Sequence, residues 1–404
     1  MRSAAVARMT GIDTLQLIAA FGSKGSLSVE RGASAIDAFR IPVDRGAALD
    51  LKRRLRTVRW ADSVAYNWTY GTEPDLLQSF VRYWEDDYNW PARAAELNGL
   101  PHFRTSIDRF GLHFLHFRSK RRGARPLLLM NGWPSSFVEY LRLAPQLADG
   151  EPAFHVVMPS LPGFAYSDRP AYPSHVQAAD LYPALMRRLG YHRFFLSGTD
   201  LGSNIATRIA LRHSKSVLGL HVGAVAERPW RAGDRPQFRN GIECRNSAGT
   251  WGVHESAFGD IHSSRPQTLA FALSDSPVGL ASWILEKFRT KSDCEGDLPG
   301  LSSFQMLADN LTIYWMTNTI GSAARFCFDE IRLAPPPRTT DYVRVPTAVG
   351  LWPRGPGVAP LELAQKVYNV QRYTLFPKGG HFPAWEQAEL YASDLREFAA
   401  DVPG

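Results

Sequence analysis

The sequence predicts an α/β fold with a mostly parallel sheet flanked by helices, and three observations carry the prediction. Residues 126–130, 154–158 and 194–197 are short, continuous apolar runs of the kind buried on both faces of a parallel sheet. Helical patterns over residues 176–189 and 204–213 alternate with them, which favours parallel pairing through crossovers. The alternation stops after residue 225 and resumes at residue 343, so a mostly helical insertion interrupts the sheet.

Residues 1–35 are rich in Ala, Gly and Ser and are expected to form a loosely ordered extension. Residues 36–120 make an N-terminal segment. It opens with a short strand at 39–43 and a basic helix at 47–56. A helix over 73–88 follows, where Leu76, Leu77, Phe80, Val81 and Trp84 recur at helical spacing. Strands at 103–107 and 112–117 flank a turn at Arg109-Phe110-Gly111. His113 and His116 have no clear third ligand beside them and read as strand residues rather than a metal site.

Residues 121–225 and 336–404 carry the sheet. The strand at 126–130 ends in Asn131-Gly132-Trp133-Pro134, and a helix follows. The strand at 154–158 runs into Pro159-Ser160-Leu161-Pro162-Gly163-Phe164. Later strands are expected at 218–225, 343–351 and 372–376, with a final helix at 388–399. Between them, residues 226–335 read as a cap over a pocket, with helices at 280–289 and 302–317. After the last strand, Lys378-Gly379-Gly380-His381-Phe382 places a histidine in a loop.

The strand at 194–197 runs into Gly198-Thr199-Asp200-Leu201-Gly202, and a helical pattern starts at once. Gly198 and Gly202 let strand and helix backbones approach closely. Asp200, between them, stands over the C-terminal edge of the sheet, where open α/β sheets bind ligands. The competing reading is an ordinary helix cap.

Bulk properties narrow the function classes. The net charge of +7 comes from 46 basic and 39 acidic residues. The basic clusters Lys52-Arg53-Arg54 and Lys120-Arg121-Arg122 are short and lack a recognition motif. They read as solvated faces, with no nucleic-acid partner. Cys244, Cys294 and Cys327 are too widely spaced for a disulfide framework or a metal cluster, so a reducing, cytoplasmic setting is expected. No run approaches ~18 apolar residues, so no membrane insertion is expected. Residues 15–21 are apolar but short, without a convincing cleavage site, and do not read as a signal peptide. Aromatic residues, 12% of the chain, can line a pocket with rings.

Further motifs join the Gly-x-Asp-x-Gly turn. They are Tyr70-Gly71-Thr72, Leu97-Asn98, Phe103-Arg104-Thr105, Gly132-Trp133-Pro134 and the loop at 159–164. In the insertion they are Ser274-Asp275-Ser276-Pro277-Val278-Gly279-Leu280 and Ile284-Leu285-Glu286-Lys287-Phe288; at the end, Gly379-Gly380-His381-Phe382. With these the chain resembles, from about Phe39 nearly to its end, the epoxide hydrolases of the microsomal and juvenile-hormone type and their bacterial relatives. The resemblance implies an α/β-hydrolase fold with a helical cap, an N-terminal wrapping segment and no cofactor or metal. Asp200 takes the nucleophile position and His381 the base position. The N–H groups of Trp133 and Leu201 take the oxyanion hole. Phe258, Cys327, Trp133, Phe164 and Tyr314 are the expected substrate-binding residues.

Four positions depart from that family's pattern. The acid that orients the histidine falls on Gly355, after Trp352-Pro353-Arg354, and no carboxylate lies between Asp341 and Glu362. The two cap tyrosines fall on Phe258 and Cys327, and Asn131 replaces a histidine before Gly132. Three functional readings follow. The leading one is an epoxide-opening enzyme for a bulky hydrophobic substrate, repurposed as a cyclase or bond-forming enzyme of natural-product biosynthesis. The second is a working epoxide hydrolase with substitutes elsewhere: Tyr314 and Tyr166 as donors, Asp260 as acid. The third is a catalytically dead homologue that binds a ligand. A homodimer is compatible with all three.

Overall fold

The computed structural model describes residues 35–64, 67–169, 175–225, 257–298, 303–332, 341–355 and 359–403. The extension, Cys244 and the first part of the cap lie outside the described residues.

Nine strands form one sheet in the order β1-β2-β3-β5-β4-β6-β7-β8-β9. They are β1 (Ile36–Ala38), β2 (His102–Ile107), β3 (Phe110–Phe117), β4 (Arg125–Met130), β5 (Phe154–Pro159), β6 (Phe194–Gly198), β7 (Val217–Val222), β8 (Val343–Leu351) and β9 (Tyr368–Leu375). The first three strands and the β3–β5 contact are antiparallel, and everything from β5 to β9 is parallel. β6 is central because all five of its residues are buried, and only an apolar strand tolerates helices on both faces. Its neighbours β4 and β7 hold it in register from Leu127↔Phe195 to Gly198↔Val222.

Several elements differ from expectation, each for a local reason. The first strand lies at Ile36–Ala38 rather than 39–43. Only Phe39 N–H continues the ladder, to His102 O at 2.9 Å, and Pro42 has no N–H to offer. The β2–β3 turn is Asp108-Arg109, both with positive φ (50° and 65°), and Phe110 and Gly111 already pair in β3. β7 stops at Val222 rather than running to residue 225. The N-terminal segment holds a further helix, Trp90–Leu97, whose Pro91 sits in the first turn, where proline is accepted. The cap adds Ala257–Ser264, Pro266–Asp275 and Ile320–Arg332 to the expected pair, which span Pro277–Lys291 and Phe304–Thr317. Among the described residues no single helix is long and apolar enough to cross a membrane.

The strand histidines are structural. His113 joins His102 Nδ1 at 2.9 Å and Ser160 Oγ at 2.8 Å, and His116 meets Tyr191 OH at 3.0 Å. Below the sheet, Ser197 Oγ meets His221 Nδ1 at 3.0 Å, and His221 Nε2 meets Asp394 Oδ2 at 3.0 Å. Asp394 also accepts from Arg372 Nε and Thr374 Oγ1, at 2.7 and 2.6 Å. Burial raises the Asp394 pKa, but these donors outweigh it and bring it to about 2, below the ordinary 3.8. A depressed carboxylate stabilises the fold above its unfolded pKa, and that contribution fades as pH falls from about 4 towards 2. Asp394→Ala leaves the buried His221 Nε2 without this partner, although Arg372 keeps Glu397 at 2.6 Å, and should cost about 3 kcal/mol of unfolding free energy at pH 7 in urea titrations. The difference from the parent should shrink as the titration is repeated towards pH 2.

Candidate active site

β6 turns into the helix Leu201–Arg212 through Asp200, whose φ of 49° and ψ of −125° are strained for any residue but glycine. That backbone lifts the carboxyl away from the helix axis. Asp200 makes no side-chain cap bond to the helix it precedes, so the cap reading does not describe this residue. Instead its Oδ1 accepts the Trp133 N–H at 2.9 Å. The turn is possible because three side chains are missing. A Cβ on Gly198 would lie 2.5 Å from the Gly202 carbonyl carbon, and one on Gly202 would run into Met130 O. A Cβ on Gly132 would occupy the space of the Asp200 carboxylate.

His381 approaches from the loop after β9. Its Nε2 lies 3.3 Å from Asp200 Oδ2, a charge contact too poorly aligned to be a hydrogen bond. Burial opposes ionisation of Asp200. The positive field of His381, that of Lys291 and the Leu201 N–H overcome it and hold the carboxyl below the usual carboxylate range. Burial, then Lys291, pulls the His381 pKa below its usual value, while Asp200 opposes the drop. The resting site is thus an anionic carboxylate held by the Trp133 and Leu201 N–H groups beside a buried imidazole.

Among the described residues, Asp200 is the carboxylate within ion-pair distance of His381. Nearby acids are occupied elsewhere. Glu386 accepts the Phe382 and Asp293 N–H groups at 2.9 and 2.8 Å, and Asp293 accepts the Gly379 N–H at 2.7 Å. They shape the histidine loop rather than orient the ring. At Gly355 a Cβ would stand 3.8 Å from Gly380 O, facing that loop. Asp260 is exposed on the helix Ala257–Ser264 and has no contact with His381. It does not serve as the substitute acid. Asn131 ties its side-chain amide to Gly132 O at 3.0 Å and bridges the turn to Ser135 at 3.3 Å.

The cap closes over Asp200 with rings and cations. Phe258 stacks on Trp133, with centroids 5.0 Å apart, and His262 packs edge-on to Trp133 at 4.7 Å. Burial drives His262 down to about 3, so its ring is neutral. Lys291 Nζ lies 4.3 Å from the Phe258 centroid and 5.4 Å from that of Trp133. Burial pushes the Cys327 thiol up to about 12, with Asp200 adding to the rise. Phe164 is buried against Phe326 and Tyr314. Tyr314 is within the field of Asp200, but its hydroxyl donates to Ser135 O at 3.2 Å and is not available as the substitute donor. Tyr166 is no substitute either, since its ring packs with Phe39 and His113 near the strands of the N-terminal segment.

The structure therefore brings together Asp200, His381, the Trp133 and Leu201 N–H groups, Phe258 and Cys327. Lys291, His262, Glu386 and Glu139 were not singled out from the sequence. Glu139 accepts from the Ser135 hydroxyl deep in the site wall, and burial raises its pKa to about 8. A lysine at a helix C-terminus and a glutamate after an aromatic turn carry no local signal of burial.

Fold and elbow define an α/β-hydrolase with aspartate at the nucleophile position. Residues 36–140 match the epoxide hydrolase N terminus family, and 125–234 the alpha/beta hydrolase fold family. Epoxide hydrolase 1 of Sus scrofa is 30% identical over 423 residues, covering 96% of this chain and 93% of its own. A Stigmatella aurantiaca protein provisionally named an epoxide hydrolase is 36% identical, covering 90% of this chain and 84% of its own. The crystal structure of juvenile hormone epoxide hydrolase from the silkworm Bombyx mori has a TM-score of 0.84 at 27% identity. It covers 91% of this chain and 95% of that one. The chain belongs to the epoxide hydrolase family.

If the Gly132 contact sets the position of the carboxylate, Gly132→Ala displaces it. Alkylation of Asp200 by an aryl epoxide, followed by intact-protein mass, should slow at least about a hundredfold.

Proposed function

We propose that this protein opens the epoxide of a bulky, hydrophobic, ring-bearing substrate by attack of Asp200. The observation that carries the reading is the Asp200 carboxylate itself. It stands on a strained elbow, makes no cap bond, stays ionised and lies beneath an aromatic roof. In the first half, an Asp200 oxygen bonds to an epoxide carbon as the C–O bond breaks. In the second, His381 takes a proton from water as it adds to the ester carbonyl. The Trp133 and Leu201 N–H groups stabilise the oxyanion. Family membership supports an enzyme rather than a dead binder.

The two halves are unequally equipped. Among the described residues no carboxylate other than Asp200 pairs with His381, which makes it a weaker base, so ester hydrolysis should be the slow step. The same observation favours a second reading. A nucleophile within the substrate, rather than water, would complete the ring opening, making the protein a cyclase or bond-forming enzyme of natural-product biosynthesis.

Incubation with aryl and fused-ring epoxides in oxygen-18 water separates these readings. Catalytic labelled diol supports hydrolysis, and a stoichiometric Asp200 ester supports a stalled second half. An unlabelled cyclised product from an epoxide with an internal hydroxyl supports the second reading. Absence of all three, or equal turnover by Asp200→Ala, overturns the proposal. Gly355→Glu places a carboxylate facing the histidine loop. It should raise the rate of ester breakdown about tenfold or more, read as decay of the adduct mass, while ester formation stays unchanged.

A further inference from the structure

Opening an epoxide leaves a strongly basic alkoxide, which needs a proton or a strong hydrogen bond as it forms. The family supplies tyrosines at the positions of Phe258 and Cys327. Here Phe258 has no donor, and the Cys327 thiol is made less acidic by burial. The Tyr314 hydroxyl donates its hydrogen bond to Ser135 O.

Lys291 lies at the end of the helix Pro277–Lys291 and is 3% exposed. Its ammonium lies over the Phe258 ring, and its field acts on both Asp200 and Cys327. It therefore stands among the nucleophile and the two vacated donor positions. The helix end is fixed to the histidine loop, since Lys291 O accepts the His381 N–H at 2.8 Å. The Gly380 backbone packs so closely on that carbonyl that a Cβ there would lie 2.5 Å away. Burying an ammonium costs free energy, and here the Asp200 carboxylate stabilises its charge.

We propose that Lys291 Nζ is the acid that protonates the epoxide oxygen as the ring opens, an assignment that rests on the ring-opening reading above. The Asp200 O–C bond forms while the epoxide C–O bond breaks. The released electron pair takes a proton from Nζ, leaving a neutral amine and a hydroxyalkyl ester. Hydrolysis of the ester regenerates Asp200 as a carboxylic acid, whose proton returns to the amine. No external acid is consumed. Burial and the Lys287 charge make this ammonium more acidic than lysine in water, and Asp200 limits the drop.

The test compares two leaving groups in a His381→Gln background, which holds the ester for intact-protein mass. Aryl epoxides need the proton; benzyl bromide, which alkylates a carboxylate and releases bromide, does not. Lys291→Met should slow ester formation from the epoxides about a hundredfold and leave alkylation by benzyl bromide within about threefold. Lys291→Gln, more conservative in polarity, serves if the methionine variant does not fold. Equal loss with both reagents makes Lys291 a support for Asp200 and overturns the assignment. Unchanged epoxide rates in the variants overturn it as well. If the Lys291-containing parent forms no ester with any epoxide but reacts with benzyl bromide, ring opening by Asp200 falls, and this assignment with it.

Discussion

The hydrogen bond from the Trp133 N–H to Asp200 is the contact on which the rest of the site depends. It requires a carboxylate directed away from its own helix, so the Asp200 backbone must adopt the left-handed region. That conformation in turn requires β4 and β6 to lie side by side, with their loops nearly in contact. Gly132, Gly198 and Gly202 are the positions where the contact leaves no room for a side chain. The strain is borne by a sheet in which β6 is buried throughout and β4 is buried from Leu127 to Met130, so the turn cannot relax without disturbing the core.

Charge is arranged around that one anion. Asp200 meets His381, and Lys291 acts on both from the cap side. Lys291 therefore sets positive charge on the cap side of the anion. Asp293 and Glu386, near His381, are turned to main-chain N–H groups, which fixes the loop.

Much of this was legible in the sequence, and the residues show why. β4, β5 and β6 are apolar at nearly every position because both faces are covered, and such runs cannot be mistaken for loops. β9 was half hidden: Asn369, Gln371 and Arg372 lie on an edge strand with partly exposed positions, so its first half has no apolar run. The helix Ala257–Ser264 contains Gly259, Asp260 and two serines, and contacts distant in the chain hold it, among them the helix Ile320–Arg332 and the Trp133 ring. Asp200 and His381 stand in motifs that sequence preserves. Lys291 does not: its burial is made by Phe258 and Trp133, residues distant in the chain, and no local pattern announces such a contact. The hydroxyl of Tyr314 was similarly unreadable, because its acceptor is a carbonyl brought near only by the fold.

The helix Phe304–Thr317 is pinned from both sides. Tyr88 and Arg93 bond to Asp309, and Trp84 to Thr312, from the N-terminal segment. Asn310 bonds to Pro134 O and Tyr314 to Ser135 O in the turn beside Asp200. Five bonds along two turns make it a pillar rather than a moving door. Substrates must then be sorted by fixed walls on this side, and exchange of substrate and product has to proceed without displacing that helix. Tolerance for new substrates would come from reshaping the walls rather than from loosening a hinge.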